Sequence, residues 1–265
     1  MLIMFLFKII TIIGLIYALV CLMAYWLQET LLFHPEVLPM DLVFKFEHNF
    51  EELYLEVAEG VHLHALHFKL KAPKGLVFYV HGNAGSLQDW GSLSSLYASL
   101  GYDLLMFDYR GFGKSNGKIT SQKQFFADVQ AFYDYAKNLY DESTILVEGF
   151  SIGTASATKI AVDNNPRYLI LKAPYYSLPH LIKTKHPYLP SSLLKYRFMT
   201  IDFLKQVKCP VTIFHGTIDE LIPIANSERL AAEVPRVEYI PIVDCLHNDI
   251  PYQEIYKKKM QTLLI

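Results

Sequence analysis

Chemistry is concentrated first in the run Val147-Glu148-Gly149-Phe150-Ser151-Ile152-Gly153. A buried-strand pattern ends at Glu148 and a helical pattern, Ile152–Asp163, begins at once. Ser151 therefore sits between two small residues at a strained strand-to-helix turn. Such a turn lifts a hydroxyl clear of a sheet. The helix that follows aims its free N–H groups and the positive end of its dipole at any oxyanion formed there. That is the setting of a nucleophile in acyl transfer; the plainer reading is a turn whose serine only caps the helix.

A nucleophilic serine needs a base, and the base an orienting carboxylate. Asp219 lies four residues past a strand pattern ending at His215, and His247 lies on the loop after another ending near Ile242. Parallel strands present their carboxyl ends at one edge, so both loops open where Ser151 does. Glu220, Asp244 and Asp249 are alternatives for the acid. After a third strand pattern, His81-Gly82-Asn83-Ala84-Gly85 turns sharply, and the N–H of Asn83 or Ala84, with that of Ile152, completes an oxyanion hole. Such a donor is worth ~3 kcal/mol of barrier. His81 reads as a structural anchor, and Asp108 and Arg110 read as a brace for the neighbouring loop. His62, His64 and His67 resemble a metal motif, but on a strand His67 faces away from the other two, so no metal site is expected. The chemistry calls for no cofactor.

The elements that must position these residues are legible. Strand patterns cover Leu53–Val57, Leu63–Leu70, Leu76–His81, Asp103–Asp108, Thr144–Glu148, Tyr168–Ala173, Val211–His215 and Val237–Ile242. The last six are continuous apolar runs, as parallel strands buried on both faces require. Helical spacing appears at Phe125, Val129, Phe132, Ala136 and Leu139, and again from Leu87 to Leu100. Strand–helix alternation after two early strands predicts an α/β fold, a mostly parallel eight-stranded sheet flanked by helices. Residues 174–208 are too long for a crossover loop and read as a short inserted cap.

Charge is distributed unevenly. The 265 residues carry 24 Lys+Arg and 26 Asp+Glu, a net of −2 that argues against nucleic acid as a partner. Lys8 is the one charged residue before Glu29. Ile9–Trp26 is an unbroken run of 18 uncharged residues, about 27 Å as helix and close to the bilayer core. With no basic n-region and no small-x-small site after it, it reads as an uncleaved transmembrane helix rather than a signal peptide. The expected organisation is an anchor over 1–28 and a catalytic domain over 29–265. Lys8 weakly favours an N-in orientation. The cap holds six basic residues against Asp202, and the rest of 29–265 holds 17 basic against 25 acidic. A basic, aromatic cap beside an anchor suits an anionic lipid surface. The bland alternative is a cap whose apolar residues cover the sheet edge. The three cysteines form no disulfide framework, and oligomeric state cannot be read.

Taken together, Leu32–Pro35, His81–Gly85, Asp108–Ser115, Gly149–Gly153, Ala173–Ser177, His215–Pro223 and His247 resemble the α/β-hydrolase superfamily. More narrowly they are similar to its membrane-anchored branch of depalmitoylase-like and lysophospholipase-like hydrolase-domain proteins and their bacterial relatives. The resemblance implies the α/β-hydrolase fold and a serine hydrolase of esters or thioesters, with Ser151, Asp219 and His247 in the triad positions. Glu148 departs from the small or apolar residue usual before the turn, and His247-Asn248-Asp249 from the small residues usual after the histidine. The expected substrate is a small molecule, or a lipid-like or acylated one met at the membrane. The rivals are a serine peptidase of the same fold and a catalytically silent membrane-bound interaction protein.

Overall fold

In the computed structural model, which describes residues 1–263, the strand patterns pair into one eight-stranded sheet. The strands are β1 (Phe50–Ala58), β2 (Val61–Phe68), β3 (Leu76–Val80), β4 (Asp103–Phe107), β5 (Ile145–Phe150), β6 (Tyr168–Lys172), β7 (Val211–Gly216) and β8 (Glu238–Ile242). Their spatial order is β8-β7-β6-β5-β3-β4-β2-β1. β1 and β2 form an antiparallel hairpin and β2 runs antiparallel to β4; every other pair is parallel. A separate parallel pair, His34–Pro35 with Ala84–Gly85, ties the segment after the apolar N-terminal helix to the loop after β3.

The helices are α1 (Leu2–Trp26), α2 (Gln28–Leu32), α3 (Leu87–Trp90), α4 (Ser94–Leu100), α5 (Gln122–Lys137), α6 (Gly153–Asp163), α7 (Leu178–Lys185), α8 (Thr200–Leu204), α9 (Ala225–Glu233) and α10 (Glu254–Leu263). The helix expected across Leu87–Leu100 is broken by a 3-10 turn over Gly91–Leu93. Alternation along each strand divides the core in two. On β3, Leu76, Phe78 and Val80 face α5, α6 and α8, whereas Val77 and Tyr79 face α4 and α10. Because both faces are covered, the central strands are apolar throughout rather than alternating.

Residues 174–208 do two jobs. Tyr196, Phe198, Ile201, Leu204 and Val207 are buried in the core, with α8 lying against α6, so the second half of the segment covers the sheet as any crossover helix does. The part around α7 and the turn Ser191–Leu193 forms an overhang, in which Leu178, Ile182 and Lys185 of α7 line the space at Ser151 and Leu193 bonds to Gln28 of α2. α1 buries none of its residues and is long and apolar enough to cross a membrane. It nevertheless touches the overhang, where the Tyr17 hydroxyl donates to the Tyr188 carbonyl at 2.9 Å.

Candidate active site

Ser151 occupies the turn between β5 and α6 with φ at 53°, a left-handed conformation that a non-glycine residue rarely adopts. The strain is held from several sides. The Ser151 N–H donates to the Lys172 carbonyl at 3.0 Å, and the Ser151 carbonyl accepts from the Thr154 N–H and hydroxyl at 3.0 and 2.6 Å. The flanking glycines are required by close approach. A Cβ on Gly149 would stand 2.6 Å from Ala157 Cβ, and one on Gly153 only 2.3 Å from the Val80 carbonyl oxygen. The spacing of small residues about Ser151 thus reflects α6 packed directly onto the ends of β5 and β3.

Asp219 and His247 meet at the same edge. The His247 Nδ1–H donates to Asp219 Oδ2 at 2.6 Å, and Asp219 Oδ1 accepts the N–H groups of Leu221 and Ile222 at 2.9 and 2.8 Å. Burial alone would raise the Asp219 carboxyl. Hydrogen bonds from His215 and His247 and from the Ile222 amide outweigh it and hold the group well below the usual carboxylate range. Of the alternative acids, Glu220 and Asp244 are exposed, and none of Glu220, Asp244 and Asp249 bonds to His247 among the described residues. The His247 ring packs on Phe150, beside Ser151, with centroids 4.8 Å apart. Among the described residues Ser151 Oγ makes no hydrogen bond to His247. Such contacts commonly tighten only when substrate binds.

Asn83, Ser151 and Ile152 line one cavity of about 250 Å³, closed by Tyr175, Leu178, Ile182 and Leu221 and with Lys185 as its charged wall residue. Ala84 lines a neighbouring cavity of about 350 Å³ with Trp90, Phe150 and Asn248. Asn83 thus shares a cavity with Ser151, whereas Ala84 lines the next one. The Asn83 carbonyl accepts from the His34 N–H at 2.8 Å and its side-chain amide donates to the Leu32 carbonyl at 2.8 Å, which fixes the loop to the segment after α2.

The remaining residues singled out in the sequence are braces. His81 is fully buried, donates to the Gly82 carbonyl at 2.7 Å and is held neutral by burial, its pKa lowered to about 4. Arg110 grips Asp128 through two bonds of 2.7 and 2.8 Å, and Asp108 accepts the Leu87 N–H. The three β2 histidines part company. His64 meets Glu52, His67 meets the Tyr140 hydroxyl, and His62 lies exposed near Glu56.

Two partners escaped sequence reading. His215 Nε2 lies 2.8 Å from the Ile222 carbonyl and 3.1 Å from Asp219 Oδ2, so it carries the proton and braces the acid, while Nδ1 accepts from the Ser227 hydroxyl at 2.6 Å. Its place four residues before Asp219 was the available signal. Lys172 and Glu148 form a fully buried ion pair at 2.7 Å beneath the Ser151 turn. The Tyr256 hydroxyl donates to the same Glu148 oxygen at 2.8 Å, and Lys172 donates to the Tyr79 hydroxyl at 3.1 Å. Two opposite charges inside apolar strand patterns were the clue.

The family model described as serine aminopeptidase, S33, matches residues 71–202. An uncharacterized protein of Mycobacterium tuberculosis is 30% identical over 230 residues, covering 84% of this chain and 81% of that one. The human alpha/beta hydrolase domain-containing protein 17C is 30% identical over 194 residues, which is 71% of this chain but 56% of that protein's length. The chain belongs to the α/β-hydrolase superfamily. Solved members share the fold at low identity. An esterase of Pyrococcus furiosus superposes with a TM-score of 0.68 at 19% identity, covering 88% of this hydrolase-fold chain and 97% of that one. A thioesterase domain from the curacin biosynthetic pathway superposes with a TM-score of 0.60 at 15% identity, covering 82% and 99%.

Proposed function

We propose that this α/β-hydrolase is a membrane-anchored serine hydrolase that cleaves carboxylic ester or thioester bonds of lipid-like or acylated substrates, organised as an anchor over 1–28 and a catalytic domain over 29–265. The observation that carries the reading is the Asp219–His247 pair beside a serine held at positive φ at the start of α6. Ser151 Oγ attacks the acyl carbon as its proton passes to His247 Nε2. Asp219 keeps the other ring nitrogen protonated and steadies the imidazolium. The N–H groups of Ile152 and Asn83 hold the oxyanion. His247 then returns the proton to the departing alcohol or thiol as the acyl–oxygen or acyl–sulfur bond breaks. A water loses its proton to His247 and adds to the acyl-enzyme, and the carboxylic acid leaves as Ser151 regains its hydrogen.

The description of the matching family favours a second reading, an aminopeptidase. A free α-amino group needs a carboxylate to receive it, and the charged wall residue of the Ser151 cavity is Lys185, of the wrong sign. Acyl esters suit that wall better. The test is labelling of the full chain with a fluorophosphonate probe, followed by peptide mapping. We expect one adduct, at Ser151, lost in Ser151→Ala together with hydrolysis of p-nitrophenyl esters. Folded protein that takes no label would sink the serine-hydrolase reading. Turnover of aminoacyl anilides in preference to acyl esters would replace it with the peptidase.

A further inference from the structure

A second apolar groove adjoins the Ser151 cavity. It has a volume of about 350 Å³ and is built from Ala24, Gln28, Leu31 and Leu32 on one side and the overhang, including Ile182, Leu189 and Leu193, on the other. Leu31, Leu32 and Ile182 line both spaces, so three side chains are all that stand between one and the other. The groove exists because the end of the apolar helix is fastened to the overhang. Gln28 is 5% exposed; its amide donates to the Leu193 carbonyl and accepts from the Lys195 N–H, both at 2.8 Å. Lys195 pairs with Glu29 at 3.1 Å and lies over the rings of Tyr25 and Trp26.

The height of the overhang is informative. Tyr17, which bonds to the Tyr188 carbonyl, stands nine residues before Trp26, or about 14 Å back along α1. If Tyr25 and Trp26 mark the interface, the tip at residues 186–190 lies at the depth of the acyl chains. Pro187 and Pro190 have no N–H, and the N–H groups of His186 and Leu189 bond to Ile182 and His186 carbonyls. Lys183 and Lys185, in the last turn of α7, are exposed and make no ion pair among the described residues.

We propose that α1, α2 and the overhang together form an acyl-chain groove opening sideways into the bilayer, and that its occupant is one fatty-acyl chain of an anionic membrane phospholipid, delivered from the leaflet to Ser151 with Lys185 facing the phosphate. This deepens the serine-hydrolase reading and rests on it. The helix over Leu2–Trp26 is thereby part of the substrate site as well as a tether. Lateral entry follows from adjacency: the groove shares Leu31, Leu32 and Ile182 with the cavity of Ser151, and Ala24 of the apolar helix lines its far side.

The test uses full-length protein reconstituted in vesicles of phosphatidylcholine, with or without phosphatidylglycerol, and p-nitrophenyl palmitate and butyrate. Fatty acid should be released faster from phosphatidylglycerol vesicles, and Lys185→Gln should reduce that preference. Leu193→Trp, filling the groove far from Ser151, should lower the palmitate-to-butyrate ratio of kcat/KM by about tenfold or more. Ala24→Trp blocks the same groove from the anchor side and serves where the first variant folds poorly. Unchanged ratios in both variants, with Ser151 still taking a fluorophosphonate, would overturn the groove alone. Cleavage of an S-palmitoyl peptide but not of vesicle lipid would overturn the occupant. Loss of labelling in the unaltered protein would remove the hydrolase reading itself.

Discussion

At the scale of single residues, the least expected feature is the buried charge beneath the Ser151 turn. Lys172 and Glu148 are both inaccessible; burial lowers the Lys172 pKa, and the nearby Glu148 carboxylate partly restores it. Such a pair adds little net stability over apolar residues of the same size, but removing one partner strands the other. Glu148→Gln should therefore cost about 3 kcal/mol or more of unfolding free energy in urea titrations. Adding Lys172→Met should recover most of that loss; a double variant no better than the single would show that the pair is not the cause. The reason for a glutamate at position 148 lies in β6 and α10: its carboxylate meets Lys172 and Tyr256, both distant in sequence. A strand pattern records that a residue is enclosed, not what encloses it.

At the scale of elements, the junction of β3, β5 and α6 decides where Ser151 points. Gly153→Ala would drive a methyl into the Val80 and His81 carbonyl oxygens, 2.3 and 2.6 Å away, and push α6 off the end of β3. We expect about 1–3 kcal/mol of lost stability, in the range of overpacking. Labelling of Ser151 should slow under conditions where circular dichroism reports a folded chain, because α6 carries the Ile152 N–H with it. Labelling at the unaltered rate would mean that α6 is not what positions the oxyanion hole. The junction was legible beforehand, since Gly149-x-Ser151-x-Gly153 between an apolar run and a helical pattern is local information. The overhang was less so. Tyr196, Phe198 and Ile201 belong to the core, and nothing in their spacing separates them from Tyr188, Leu193 and Leu194, which line the groove beside α2.

At the scale of the whole molecule, burial of neutral histidines governs the response to acid. Burial, with Lys69 nearby, lowers the His67 pKa to about 4 even against Asp103 and Glu51, and burial lowers that of His81 to about 4. In an unfolded chain such rings protonate near ~6.5. Protons thus bind the unfolded state preferentially. The stability contributed by keeping the rings neutral is complete above about pH 7 and is lost as the pH falls from ~6.5 toward 4. At pH 5 the loss is up to about 2 kcal/mol per ring. Asp108 and Asp128, raised by burial, take up protons in the fold and offset part of it. Asp219, held low, joins the loss only at pH below ~4. His67→Phe isolates one ring: its loss of stability between pH 7 and pH 5 should be about 2 kcal/mol smaller than that of the unaltered protein. Equal losses would place the acid sensitivity elsewhere.

Periodicity, punctuation and the two edge loops were enough to derive the eight strands, their mostly parallel packing, the turn at Ser151 and the loops carrying Asp219 and His247, because these depend on local alternation and on the shared edge of parallel strands. Tertiary structure alone decided that Asn83 shares a cavity with Ser151, that His215 braces Asp219, and that Glu148 answers to Lys172 and Tyr256. It also decided that the end of the apolar N-terminal helix lines a groove next to the Ser151 cavity. Each of these is a contact between segments far apart in the chain. Residue type sets the chemistry a group can do, but only packing determines what it faces.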